Sequence, residues 1–170
     1  MNREELKEAI KGKDLKETNE IVEKYFKEKD DGKVTEKNGI IYTPIEVVDF
    51  INNSIKDILK KEFGKDIGDA DIEIMDPFTG TGTFMKRFIE TCLTPEEAER
   101  KNKDGELTAI EIMPESHEIA QTLLDKTLQE KTNNKDIKFN KCFNQDTFQM
   151  YEDNFKDIEE DKPLLWSKGI

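Results

Sequence analysis

Met75-Asp76-Pro77-Phe78-Thr79-Gly80-Thr81-Gly82-Thr83-Phe84 lies between a short apolar run, Ile72 to Met75, and a segment from Phe84 to Ile89 with helical spacing. An apolar run that enters Asp-Pro and a Gly-rich turn before a helical segment predicts a strand, a loop and a helix. Open parallel sheets place ligands in such loops, at the carboxyl ends of their strands. Gly80 and Gly82 allow tight turning and close backbone approach, and Asp76 ends the strand with an acceptor for a cationic or hydrogen-bonding ligand group. A bare Gly-x-Gly is as readily an ordinary turn as a binding loop. The preceding Asp-Pro and the strand-to-helix context favour binding. A phosphate-binding P-loop needs lysine after its last glycine, where Thr83 stands, and the dinucleotide fingerprint needs a third glycine, where Met85 stands.

Working outward, the pattern of strand and helix repeats. Upstream, Tyr42 is followed by Thr43 and Pro44, read as an N-cap with proline in the first turn, and Val47, Val48, Ile51, Ile55, Ile58 and Leu59 continue at helical spacing toward Gly64. Downstream, Thr94 and Pro95 start a charged helical stretch, and Leu107 to Ile112 reads as a buried strand. His117 to Leu128 is helical in period, and Ile137 to Phe143 reads as a third strand. Strands alternating with helices predict a parallel sheet in an α/β fold. From Glu4 to about Lys29 an apolar periodicity in a charged background predicts one or two exposed helices, bounded by the polar stretch from Asp30 to Gly39. The expected organisation is an N-terminal helical arm over 1–35, a ligand-binding part over 36–150 and an acidic tail over 151–170.

Composition limits the function classes. The chain of 170 residues is 39% charged and 34% hydrophobic, enough for one modest core. No apolar run approaches the roughly 20 residues that span a bilayer, and the N-terminus lacks a signal-peptide core, so a cytoplasmic protein with no membrane partner is expected. Cys92 and Cys142 suggest neither a disulfide framework nor a metal site. A net charge of -12 opposes unaided binding to nucleic acid, because nonspecific affinity comes from Lys and Arg neutralising phosphates. His117, the only histidine, reads as a solvated or capping residue, and Phe139 and Phe143 as core.

Two further acidic residues complete a pattern. Glu111 closes the strand LTAIEI, where α/β folds commonly grip ribose hydroxyls, and Asp146 follows the third strand in NQDTF, placed either to meet an adenine amino group or to cap a helix starting at Thr147. About 35 residues separate Tyr42, Asp76, Glu111 and Asp146 in turn. Together these residues resemble the N6-adenine DNA methyltransferases of bacterial restriction-modification systems, over roughly residues 39–148. The resemblance rests on GIIYTP before a helix, DPFTGTGTF as the cofactor loop, AIEI as the ribose-binding strand end and QDTF as the adenine-binding one.

That resemblance implies a partial Rossmann-like class I methyltransferase fold, three-layered and mainly parallel, preceded by the helical arm, with S-adenosylmethionine as cofactor. It implies that Tyr42, Thr43 and Pro44 wall the site and that Asp76, Pro77, Phe78, Thr79, Gly80, Thr81, Gly82, Thr83 and Phe84 wrap the methionine end. Glu111 would bind the ribose, Ile112 would pack on the adenine, and Asp146 and Thr147 would contact its edge. The family's catalytic motif, an Asn or Asp with two prolines and an aromatic, contacts a base flipped out of the duplex. This chain contains no Pro-Pro, so no catalytic residue is assigned, and methylation of DNA is expected only of the complete enzyme or with a partner chain. A non-catalytic assembly module with a degenerate methyltransferase fold is the alternative, and a small-molecule or protein methyltransferase a weaker one. In this fold a fourth strand normally pairs beside the first. Its absence predicts an open edge, covered by the tail near Leu164 to Trp166 or by a second copy in a homodimer.

Overall fold

The computed structural model describes residues 2–13, 15–28 and 43–149. Among them the chain runs α1 (Arg3–Ile10), α2 (Leu15–Glu28), α3 (Ile45–Phe63), β1 (Ile74–Asp76), α4 (Thr83–Cys92), α5 (Pro95–Asp104), β2 (Leu107–Glu111), α6 (Pro114–Thr132) and β3 (Cys142–Asn144). The three strands form a parallel sheet in the order β1-β2-β3, an α/β arrangement. Asp76 aligns with Ala109, and Glu111 with Asn144. Since β2 continues for two residues beyond that alignment, its last carbonyl and carboxylate stand above the end of β1, where the Gly-rich turn folds over them.

Local signals set the helix ends. Thr94 accepts from the amide of Glu97 while Glu97 accepts from the amide of Thr94, a capping box that starts α5 with Pro95 in its first turn. Pro44 itself is the N-cap of α3, one residue later than the Thr43 cap expected from the sequence; its carbonyl accepts from Val47 and Val48 and no side chain caps the helix. The third strand is shorter than Ile137 to Phe143, because residues 137–141 are irregular. There Phe139 N–H donates to Asp125 and Asn140 N–H to Asn102 rather than to a strand.

Two clusters make the core. The larger gathers Met85, Phe88 and Ile89 of α4, Ala98 of α5, Leu124 and Leu128 of α6, and Leu107 and Ala109 of β2, with Phe139. Because side chains alternate along a strand, Ile74, Leu107, Ala109 and Cys142 share this face. On the other face Met75 is exposed, Thr108 and Phe143 are half-buried and Ile110 is buried. The second cluster corrects the reading of exposed N-terminal helices. Leu6, Ile10, Val22, Tyr25 and Phe26 are buried against Ile119 and Leu123 of α6. Helical periodicity identifies the apolar stripe but not what covers it, and here α6 has a second apolar stripe to offer. The boundary near residue 35 and the tail over 151–170 lie outside the described residues.

A buried ionic cluster secures the approach to β1. Lys101, fully buried, donates to the carbonyls of Asp69 and Ile72 at 2.7 Å each and to Glu106 at 2.8 Å. Arg100 adds bonds to Glu106 at 3.0 Å and to the Gly68 carbonyl at 2.6 Å.

Candidate functional site

The turn from Asp76 to Thr83 is stitched onto β2. Thr79 N–H donates to the Ile110 carbonyl at 2.9 Å, Gly80 N–H to Glu111 Oε2 at 2.9 Å, and Gly82 N–H back to the Thr79 carbonyl at 2.8 Å. Gly80 and Gly82 both have positive φ, +57° and +88°, a region that favours glycine. They differ in surroundings. A Cβ on Gly80 would meet nothing, whereas one on Gly82 would lie 3.3 Å from Ala120 Cα and 3.5 Å from Leu124 Cγ. Gly82 is thus where α6 abuts the loop, immediately before α4.

Asp76 has one engaged oxygen and one orphan. Its Oδ1 accepts from the Phe78 amide at 3.3 Å; Oδ2 and the Thr79 hydroxyl are buried without a partner of full hydrogen-bond geometry, although the Thr79 hydroxyl lies near enough to the carboxyl to favour its charged form. Burial pushes the Asp76 carboxyl above its ordinary range, opposed by the Phe78 amide and by the nearby Thr79 side chain. Buried polar atoms normally find partners, so such a pair at the mouth of a turn marks a place where a ligand can supply them.

Glu111, only 8% exposed, uses both oxygens: Oε2 takes the Gly80 amide and Oε1 the Met113 amide at 2.7 Å. Burial raises its pKa, the Met113 and Gly80 amides lower it, and the charge of Asp76 adds to the rise. Asn144 donates from its amide to the carbonyls of Glu111 and Ile112, fixing the next turn. Asp146 accepts from the Phe148 amide at 3.0 Å, at the start of the helical residues 147–149, as a helix-capping side chain does. Thr147 donates to the Pro77 carbonyl and is buried. Over this rim stand exposed apolar groups: Ile112, and Phe78 with Phe148, whose ring centroids are 5.7 Å apart and tilted by 44°.

The structure therefore gathers Asp76 to Thr83, Glu111, Ile112, Asp146 and Thr147 at the carboxyl end of the sheet. Phe84 belongs to α4, where its carbonyl accepts from Asn52 of α3 at 3.4 Å, and Thr43 and Pro44 precede α3. Tyr42 lies outside the described residues. Several contributors were not anticipated from the sequence. Asn19 of α2 meets the Thr83 hydroxyl at 3.5 Å, Met113 holds Glu111, and Phe148 pairs with Phe78. Only Phe148 carried a usable signal, two positions after Asp146. His117 Nε2 lies 3.1 Å from the Cys142 carbonyl, a tie between α6 and β3. Cys92 and Cys142 are free thiols, the latter pushed up to about 12 by burial. Among the described residues no His, Cys, Asp and Glu cluster could hold a metal, and no helix is long and apolar enough to cross a membrane.

The raised Asp76 carboxyl carries a pH prediction. An acid whose folded pKa exceeds its unfolded value contributes stability below the unfolded value and loses it as pH rises through the folded one. Asp76→Asn is therefore expected to melt above wild type at neutral pH, with the gain vanishing in acid below the ordinary carboxylate range. Thermal melts at the two pH values check this, and a neutral-pH loss of stability would refute it.

No protein-family model matches the chain, and no curated protein matches it. Solved structures do. The chain is similar to DrdV in a cryoEM complex with DNA (29% identity, TM-score 0.71, 81% of this chain). It is similar to the Type ISP restriction-modification enzyme LlaGI, a nuclease-deletion mutant in complex with a DNA substrate mimic (34%, 0.63, 81%). It is also similar to LlaBIII, an ATP-dependent Type ISP restriction-modification enzyme bound to DNA (29%, 0.59, 83%). The match spans 14%, 12% and 11% of those chains respectively.

Proposed function

We propose that this chain binds S-adenosylmethionine at the Asp76 to Thr83 turn, as the cofactor-binding part of a restriction-modification enzyme that methylates adenine N6 in DNA. The observation that carries the reading is the pair of buried, unpartnered polar atoms, Asp76 Oδ2 and Thr79 Oγ1, at the carboxyl end of a parallel sheet. The likeness to restriction-modification enzymes in DNA complexes supports the setting.

The residues present suit the cofactor. Asp76 offers a free acceptor to the cationic methionine end. Each Glu111 oxygen accepts one amide and retains a lone pair for a ribose hydroxyl. Ile112, Phe78 and Phe148 offer apolar surface to an adenine, and Asp146 an acceptor at its edge. When bound, the cofactor supplies the methyl group; this chain's share is to orient it and exclude water. The charge of -12 leaves DNA contact to the complete enzyme or a partner chain.

Calorimetry with S-adenosylmethionine tests the site. Wild type is expected to bind and Asp76→Ala to lose at least tenfold in affinity, whereas equal binding by both would sink the assignment. The net charge of -12 suits contact with a basic partner and favours one other reading, a non-catalytic assembly module on the same fold. Methyl transfer to adenine in DNA by the complete protein separates the two, since the module transfers none.

A further inference from the structure

Helix α6 carries apolar residues on two sides, and each side meets a different part of the chain. On one side Ala120 and Leu124 stand where a Cβ on Gly82 would touch them, so the helix backs the Gly-rich turn. On the other, Ile119 and Leu123 pack with Leu6 and Ile10 of α1 and with Val22 and Phe26 of α2. Lys7 of α1 adds an ion pair to Glu118 of α6 at 3.4 Å. Two contacts then carry this helical pair past α6 to the ligand site itself. The hydroxyl of Thr83, the buried residue that ends the turn and starts α4, donates to Asn19 Oδ1 of α2 at 3.5 Å. Met113 packs on the apolar cluster of α1 and α2, and its amide holds Glu111 Oε1 at 2.7 Å. The other Glu111 oxygen takes the Gly80 amide, so the turn and Met113 converge on one carboxylate.

We infer that α1 and α2 brace the ligand site, with Asn19 as a positioning residue for the turn, so that affinity at the turn depends on the docked helical pair. The ligand is the S-adenosylmethionine proposed above, a reading on which the affinity effect rests but the ligand-free bracing does not. A site held in its binding geometry before the ligand arrives loses less freedom on binding, which raises affinity. The brace is also built to release. Its cluster shares no residue with the larger core of α4, α5 and β2, so the pair can lift from α6 without opening that core. Linkage then requires the reverse effect: a ligand that favours the braced turn must hold the helical pair down by the same factor.

Amide hydrogen exchange on the full chain, first without ligand, tests the brace. Asn19→Ala does not weaken α2 itself, since alanine is the better helix former. In this variant the Gly80 amide is expected to exchange severalfold faster than in wild type, while the Ala109 amide, bonded to the Lys141 carbonyl within the sheet, keeps its rate. Asn19→Asp retains an acceptor for the Thr83 hydroxyl and should restore the wild-type rate. Val22→Asp places a charge at a fully buried position of the cluster, and should undock the pair and speed the amides of Gly80 and Met113 together. S-adenosylmethionine affinity by calorimetry should follow the same order, falling severalfold in Asn19→Ala and returning in Asn19→Asp. Added cofactor should also slow exchange along α2. Wild-type rates at Gly80 in Asn19→Ala and at Met113 in Val22→Asp would overturn the inference. So would a rate that Asn19→Asp does not restore, or equal acceleration at Ala109, which marks general destabilisation. A wild type that binds no S-adenosylmethionine would sink the cofactor assignment alone, because the ligand-free rates decide the brace separately.

Discussion

Gly82→Val is expected to lower the unfolding temperature by roughly 4 °C or more relative to wild type, and to abolish S-adenosylmethionine binding above the temperature at which it unfolds. Two penalties add. At φ +88° a non-glycine residue costs about 1–2 kcal/mol. The added carbons also press on Ala120 and Leu124, where the first would already lie 3.3 Å from backbone, and overpacking of this kind costs about 1–3 kcal/mol. Each kcal/mol lowers the melting point of a domain of this size by roughly 2–8 °C. Gly80→Ala is the informative partner. Its Cβ meets nothing within 4 Å, so only the backbone term of about 1 kcal/mol applies. If a cofactor approaches the Gly80 backbone, this variant should lose affinity while melting within a few degrees of wild type. A wild-type melting point for Gly82→Val would mean that α6 does not abut the loop.

Lys101→Met should cost about 3 kcal/mol, because removing one member of a buried ionic cluster leaves the others desolvated. The carbonyls of Asp69 and Ile72 lose their donor, while Glu106 keeps Arg100. Methionine fills the volume, so the loss reports polar satisfaction rather than packing. The pH dependence has a definite sign. Burial opposes ionisation of Glu106, but Lys101 and then Arg100 outweigh it and hold the carboxyl below its ordinary range. A depressed carboxyl contributes stability above the unfolded pKa and loses it as pH falls through the folded one. Wild type should therefore lose part of its advantage over Lys101→Met in acid, as urea titrations at neutral and low pH would show. Equal stability of the two proteins at neutral pH would remove the cluster's assigned role.

The site and the fold were legible to different degrees. The Asp76 to Thr83 turn was readable because its signals are local: an apolar run, Asp-Pro, glycines at alternate positions and a helical period after them. Glu111 and Asp146 were readable for the same reason, each closing a strand-like segment. Residues that reach the site across the chain were not. Asn19 meets Thr83 from a helix 64 positions earlier, and Thr147 meets Pro77 across 70, distances over which no sequence period operates. The third strand was overextended from Ile137, because an apolar run does not reveal that Asp125 and Asn102 will take its amides.

The sequence by itself determined the alternation of strands and helices, the parallel sheet it implies, and the glycines that only a turn with positive φ requires, since each follows from local backbone and side-chain preference. Only the tertiary structure decided that the apolar stripe of the N-terminal helices is buried against α6, that Glu111 spends its oxygens on the amides of Gly80 and Met113, and that Asp76 Oδ2 and the Thr79 hydroxyl are left without partners of full hydrogen-bond geometry. Burial and hydrogen-bond satisfaction are properties of what surrounds a group, and the surroundings come from segments far apart along the chain.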